Sequence, residues 1–124
     1  MHVLIANNNA AVRSRIRGLI GDAIPGTTFA EAADSGQTLA LLAKQEVSVV
    51  LLDIRTRGFN GIELLRAIKR LYSGLPVILL GDQPEKEYAQ PCMKAGAASY
   101  INLDNAFERL AREIAKVNER ESSD

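Results

Sequence analysis

The sequence contains a single cysteine, Cys92, so it can form neither an internal disulfide nor a cysteine-built zinc site. It has no surplus of either charge: 15 basic and 15 acidic residues give a formal net charge of zero. Binding to a phosphate backbone runs on excess Lys and Arg. Here the basic residues are scattered, so this stretch is not expected to bind nucleic acid directly. No apolar run approaches the ~20 residues that cross a bilayer, and no charged n-region with a cleavage site opens the chain. These absences predict a soluble, cytoplasmic domain with no membrane contact. What is present is ordinary globular composition, 47% apolar and 24% charged over 124 residues. That is enough for one domain with one core and too apolar for a disordered chain.

The chain alternates short apolar runs with amphipathic stretches. Val3 to Ala6 is a continuous apolar run, followed by Asn7, Asn8 and Asn9. Val12, Ile16, Leu19 and Ile20 then mark one face of a helix, which Gly21 and the Pro25-Gly26 pair should end. Thr27 to Ala30 reads as a weak strand. Asp34 with Gln37 resembles a capping box before a short helix carrying Leu39, Leu42 and Ala43. Val47 to Leu52 is apolar except for Ser48, as a strand buried on both faces would be. Asn60 and Glu63 form a second cap pair, ahead of Ile62, Leu65, Ile68 and Tyr72. Val77 to Leu80 and Ser99 to Ile101 read as further strands. Glu85 to Ala95 has helical character, interrupted by Pro91. Phe107, Leu110, Ala111, Ile114 and Val117 form a last amphipathic helix with Asp104 as its cap. Residues 118–124 read as a polar tail or the start of a linker, leaving 1–117 as the domain. Five strands alternating with five helices predict an α/β fold with a parallel sheet. In such sheets the chemistry sits at the carboxyl ends of the strands. This directs attention to Asn7 and Asn8, Asp53, Gly81, Asn102 and Leu103.

From Val3 to about Val117 the sequence resembles the receiver domains of bacterial response regulators. "VLIANNNAAVRSRIRGLI" is similar to the family's opening strand, acidic pair and "VR" helix. "VVLLDIRTRGFNGIELLRAIK" resembles the strand that ends in the phosphorylated aspartate, its loop and the G-x-E-L helix start. "PVILLG" and "KAGAASYINL" resemble the fourth and fifth strands. The wording is nearest the subfamily with a C-terminal helix-turn-helix. The resemblance implies a flavodoxin-like (βα)5 doubly wound parallel sheet of order 2-1-3-4-5. It also implies a role in two-component signal transduction rather than as an enzyme.

A receiver of this family holds Mg²⁺ on an acidic pair and carries the phosphoryl group on an aspartate. It binds the phosphoryl oxygens with a Thr or Ser and a Lys. By resemblance, the acidic pair falls on Asn7 and Asn8, the phosphoacceptor on Asp53, the hydroxyl position on Gly81, the lysine on Leu103 and the switch aromatic on Tyr100. Four of the five phosphate-handling positions therefore depart from the pattern. Thr56-Arg57 replaces the family's Met-Pro. Mg²⁺ is usually held by one or two carboxylates plus phosphate. Removing one preorganised donor alone costs roughly 10²–10³ in rate.

These departures predict a vestigial Asp53, hydrogen-bonded to Asn7 or Asn8, and Arg55 pointing to solvent. No metal and no cofactor are expected. Tyr100, its trigger lost at Gly81, should be held in one state by packing. Cys92 reads as a small, partly buried apolar group, and His2 as structural and without partners. Pro91 should leave the fourth helix shortened, kinked or partly irregular, and the chain can escape by ending one helix near Ala89 and restarting at Pro91, with 83–90 among the most mobile segments. Two functions from different classes follow. One is a phosphorylation-independent interaction module that dimerises or binds a protein partner, tied to a DNA-binding helix-turn-helix domain. The other is a working phosphoacceptor, with Mg²⁺, served by a histidine kinase at Asp53. A weaker third is a small molecule in the crevice.

Overall fold

A computed structural model describes residues 1–55, 61–104 and 108–122. Thr56, Arg57, Asn60 and Phe107, on which parts of the sequence reading fall, lie outside the described residues. Five strands alternate with five helices: β1 (His2–Ala6), α1 (Ala10–Ala23), β2 (Thr28–Ala32), α2 (Ser35–Lys44), β3 (Val49–Asp53), α3 (Gly61–Leu71), β4 (Val77–Gly81), α4 (Glu85–Lys94), β5 (Ser99–Asn102) and α5 (Arg109–Ser122). All pairings are parallel, and the order is β2-β1-β3-β4-β5, the flavodoxin-like arrangement implied by the resemblance.

Side chains alternate across the sheet and build two apolar layers. Leu4, Val50, Leu52 and Leu79 face α2, α3 and α4 through Leu42, Leu65, Ile68 and Cys92. Val3, Ile5, Leu51 and Leu80 face α1 and α5 through Ile16, Ile20, Leu110 and Ile114. Burial on both faces explains why β1, β3 and β4 read as continuous apolar runs. Gly61 opens α3 because the helix enters against β3's exit: a Cβ there would lie 2.2 Å from Ile54 Cγ2.

Several boundaries differ from the sequence reading. Helix α1 runs through Gly21 and ends at Ala23, where Ile24 leaves helical angles ahead of Pro25. Strand β2 continues to Ala32 because every one of its residues pairs with β1. Asp34 caps α2 as expected, accepting the Gln37 N–H at 2.8 Å, but Gln37 reaches back to the Ala33 N–H instead of completing the box on Asp34. Helix α5 starts at Arg109, so Asp104 is not its cap, and it continues past Val117 to Ser122.

The largest correction is α4. It is one helix over Glu85–Lys94 with Pro91 inside it, not two short ones. Proline gives up one main-chain bond, but contacts on both sides of it tie the helix to the sheet. Cys92, next to Pro91, is 1% exposed in the core, and the Tyr88 ring lies 6.0 Å from that of Tyr100. The Ala95 N–H still closes the final turn on the carbonyls of Pro91 and Cys92, each at 3.1 Å.

Candidate functional site

The order 2-1-3-4-5 reverses direction between β1 and β3, so a crevice opens beyond their carboxyl ends. Asn7 leaves β1 there and Asp53 ends β3. Asn7 is buried; its main-chain N–H donates to the Ala32 carbonyl. Its side-chain Oδ1 accepts the N–H of Asn9 at 2.6 Å, which leaves Nδ2 as the atom that faces Asp53. Nδ2 donates to Asp53 Oδ2 at 2.6 Å. Asn9 turns the chain into α1 by accepting the N–H groups of Ala11 and Val12. Arg13 fastens the same loop, donating from Nη1 to the Asn7 carbonyl at 2.6 Å and pairing through Nε with Glu31 at 2.9 Å.

Asp53 is fully buried. Contrary to the sequence reading, Arg55 does not point to solvent but turns back over this carboxylate. Its main-chain N–H donates to Asp53 Oδ1 at 3.0 Å. Its Nε donates to the same oxygen at 3.0 Å, and Nη2 donates to Oδ2 at 2.8 Å. This is a bidentate guanidinium–carboxylate pair, the strong form of such contacts. Hydrogen bonds to Asp53 hold the Arg55 guanidinium above its ordinary pKa, against the opposing effect of burial. On its outer side Nη1 lies 3.6 Å from Asp104. Arg55 thus joins the loops that follow β3 and β5 across the crevice. The signal was present in the sequence: an Asp at a strand end that accepts the N–H two residues on brings that residue's side chain alongside it.

Among the other predicted positions, Gly81, Asn102 and Leu103 have their described contacts elsewhere. Leu103 is buried with Ile101 and Leu110 in the layer against α1 and α5, and its N–H donates to the Gly81 carbonyl. Gly81 ends β4 opposite Asn102 and abuts the Tyr100 hydroxyl. Asn8 is exposed. Asn102 donates from Nδ2 to the Gln83 carbonyl at 3.2 Å, and its own N–H meets Glu85 Oε1 at 3.2 Å. Glu85 is bridged to Arg109. Sequence reasoning missed Asn9, Arg13, Glu85 and Arg109. Only Asn9, a cap residue ahead of an apolar-periodic stretch, carried a readable cue.

His2 does have partners, which corrects the sequence reading. Its Nδ1 meets Thr28 Oγ1 at 2.7 Å and its Nε2 meets Gln45 Oε1 at 2.8 Å. It lines a cavity of about 890 Å³ at the amino ends of the strands, with Leu42, Tyr72 and Pro76, away from Asp53. Among the described residues, no helix is long and apolar enough to cross a membrane.

Comparison with known proteins agrees with the fold. The family described as "Response regulator receiver domain" matches residues 3–115. A putative NtrX-like response regulator of Rickettsia bellii is 36% identical over 80% of this chain and 21% of its own length. The DNA-binding transcriptional regulator NtrC of Salmonella typhimurium is 29% identical over 96% of this chain and 26% of its own. This chain therefore spans about a quarter or less of these two relatives. The Francisella response regulator 1452 receiver domain superposes with a TM-score of 0.85 at 21% identity, covering 96% of this chain and 97% of that one. This chain belongs to the response regulator receiver-domain family, the regulatory module of two-component signalling.

Proposed function

We propose that this receiver signals without phosphate. It acts as a protein-interaction or dimerisation module that controls an attached output domain, in the way the DNA-binding relatives pair a receiver with further chain. The observation that carries this reading is the closure of Asp53. Both carboxylate oxygens are engaged by Arg55 and Asn7 in a fully buried setting. A nucleophilic oxygen needs an open approach to phosphorus and a cation on the transferring oxygens. Among the described residues, the cation that contacts this carboxylate is Arg55, and it already pairs with the nucleophile.

The residues also suit Mg²⁺ poorly, so we assign it no role. Asn7 presents an amide nitrogen to the crevice and spends its oxygen on Asn9. A hard cation that dehydrates reluctantly is left with one carboxylate already paired with a guanidinium. Among the described residues, no group of three His, Cys, Asp or Glu is placed to hold a metal.

The test is incubation with a small-molecule phosphodonor and Mg²⁺, followed by intact mass. No added phosphoryl group is the expected result. A stoichiometric adduct at Asp53 would restore the reading of a phosphoacceptor served by a histidine kinase.

A further inference from the structure

Tyr100 and Gly81 meet at the carboxyl ends of β5 and β4. Tyr100 is 2% exposed. Its hydroxyl accepts the Gln83 N–H at 3.0 Å and donates to the Gln83 carbonyl at 2.9 Å. The phenol thus clamps both main-chain groups of one residue in the connection from β4 to α4. Asn102 adds a second donor to the same carbonyl. Two residues on, Glu85 accepts the Asn102 N–H and pairs with Arg109. The 81–85 segment is therefore tied to β5 and to α5 at the Gln83 and Glu85 positions.

The clamp depends on Gly81 having no side chain. A Cβ there would lie 2.5 Å from the Tyr100 hydroxyl oxygen and 3.0 and 3.1 Å from two ring carbons. The oxygen cannot retreat without leaving Gln83, and the ring is backed by Tyr88 on α4. We infer that Gly81 leaves the space in which the Gln83 bonds hold Tyr100 inward, so that the β4–α4 connection and the start of α4 hold one conformation rather than exchanging between two. The surface formed by α4 and β5 is then constant in shape. This rests on contacts separate from Asp53 and would stand even if Asp53 accepted a phosphoryl group.

The test is NMR of the three tyrosines and of the Gln83 amide, with hydrogen exchange. In the natural sequence, Tyr100 should give one set of ring signals without exchange broadening, unchanged by Mg²⁺ with beryllium fluoride. Gly81→Ala should displace the ring signals and speed Gln83 amide exchange about tenfold, the equivalent of one lost hydrogen bond. Tyr100→Phe should speed the same amide while leaving the ring in place. If Gly81→Ala folds poorly, the double variant Gly81→Ala/Tyr100→Leu, which has no ring to collide with, should be more stable than the two single effects summed. Two exchanging Tyr100 states in the natural sequence would overturn the inference. So would a Gly81→Ala protein with an unmoved ring and a protected Gln83 amide, or strictly additive effects in the double variant.

Discussion

Arg55 stands two residues from Asp53 and supplies three of the four closest donors to its carboxylate. Removing the guanidinium strands a buried charge, a loss of about 3–5 kcal/mol for a fully buried pair. Arg55 keeps 28% of its side-chain surface in water, so screening reduces the figure to about 2–3 kcal/mol for Arg55→Ala. Urea titration should show a lower midpoint with an unchanged slope. Arg55→Lys should recover only part of this, because an ammonium cannot span both oxygens. The Asn7 amide is as specific. Asn7→Asp replaces the donor 2.6 Å from Asp53 Oδ2 with a second carboxylate. That variant should be less stable, because two carboxylates then face each other in a buried site. An unchanged urea midpoint would show that the amide contributes nothing to stability.

At the scale of elements, α4 and α5 carry the contacts that respond to pH and to sequence. Burial alone would raise the Glu85 carboxyl, but the donors from Arg109 and the Asn102 main chain outweigh it and hold its pKa below the ordinary value. The unfolded chain therefore takes up this proton first as pH falls. The stabilisation is complete above the ordinary glutamate range and disappears as pH drops through the lowered native value. Glu85→Gln should be less stable than the natural protein at neutral pH, with the difference closing as acidification passes through the lowered native value. A constant difference would remove the charge from the account. Within α4, Pro91→Ala returns an N–H to the Glu87 carbonyl and should stabilise by about 1–3 kcal/mol, reduced by the flexibility the unfolded chain regains. A destabilised Pro91→Ala protein would mean that the helix is built around the ring.

For the whole molecule, the proposed phosphate-independent function predicts an assembly state and a stability that a phosphate mimic leaves unchanged. Light scattering should give the same mass with and without Mg²⁺ and beryllium fluoride. The melting temperature should also stay fixed, because a ligand that binds only the folded state must raise it. A dimer that forms only with the phosphate mimic would contradict the proposed function.

The sequence by itself determined the layered architecture. Apolar runs such as Val3 to Ala6 and Val77 to Leu80 can be satisfied only where both faces are covered, and the helical stripes between them supply the cover. It also located the crevice, because the residue that ends each strand is read directly from the end of its run. It misjudged α4, where a local penalty at Pro91 was weighed without the buried Cys92 and the Tyr88–Tyr100 ring contact that offset it. Only the tertiary structure decided that Arg55 covers Asp53, that the Asn7 amide presents its nitrogen inward, and that Tyr100 occupies the space left by Gly81. Each of these depends on which rotamer a side chain adopts once a turn or a neighbouring strand has brought its partner within reach. Apart from the Arg55 pairing, hinted at by its spacing from Asp53, they join residues 19 and 46 positions apart in the chain, separations over which local pattern carries no geometry.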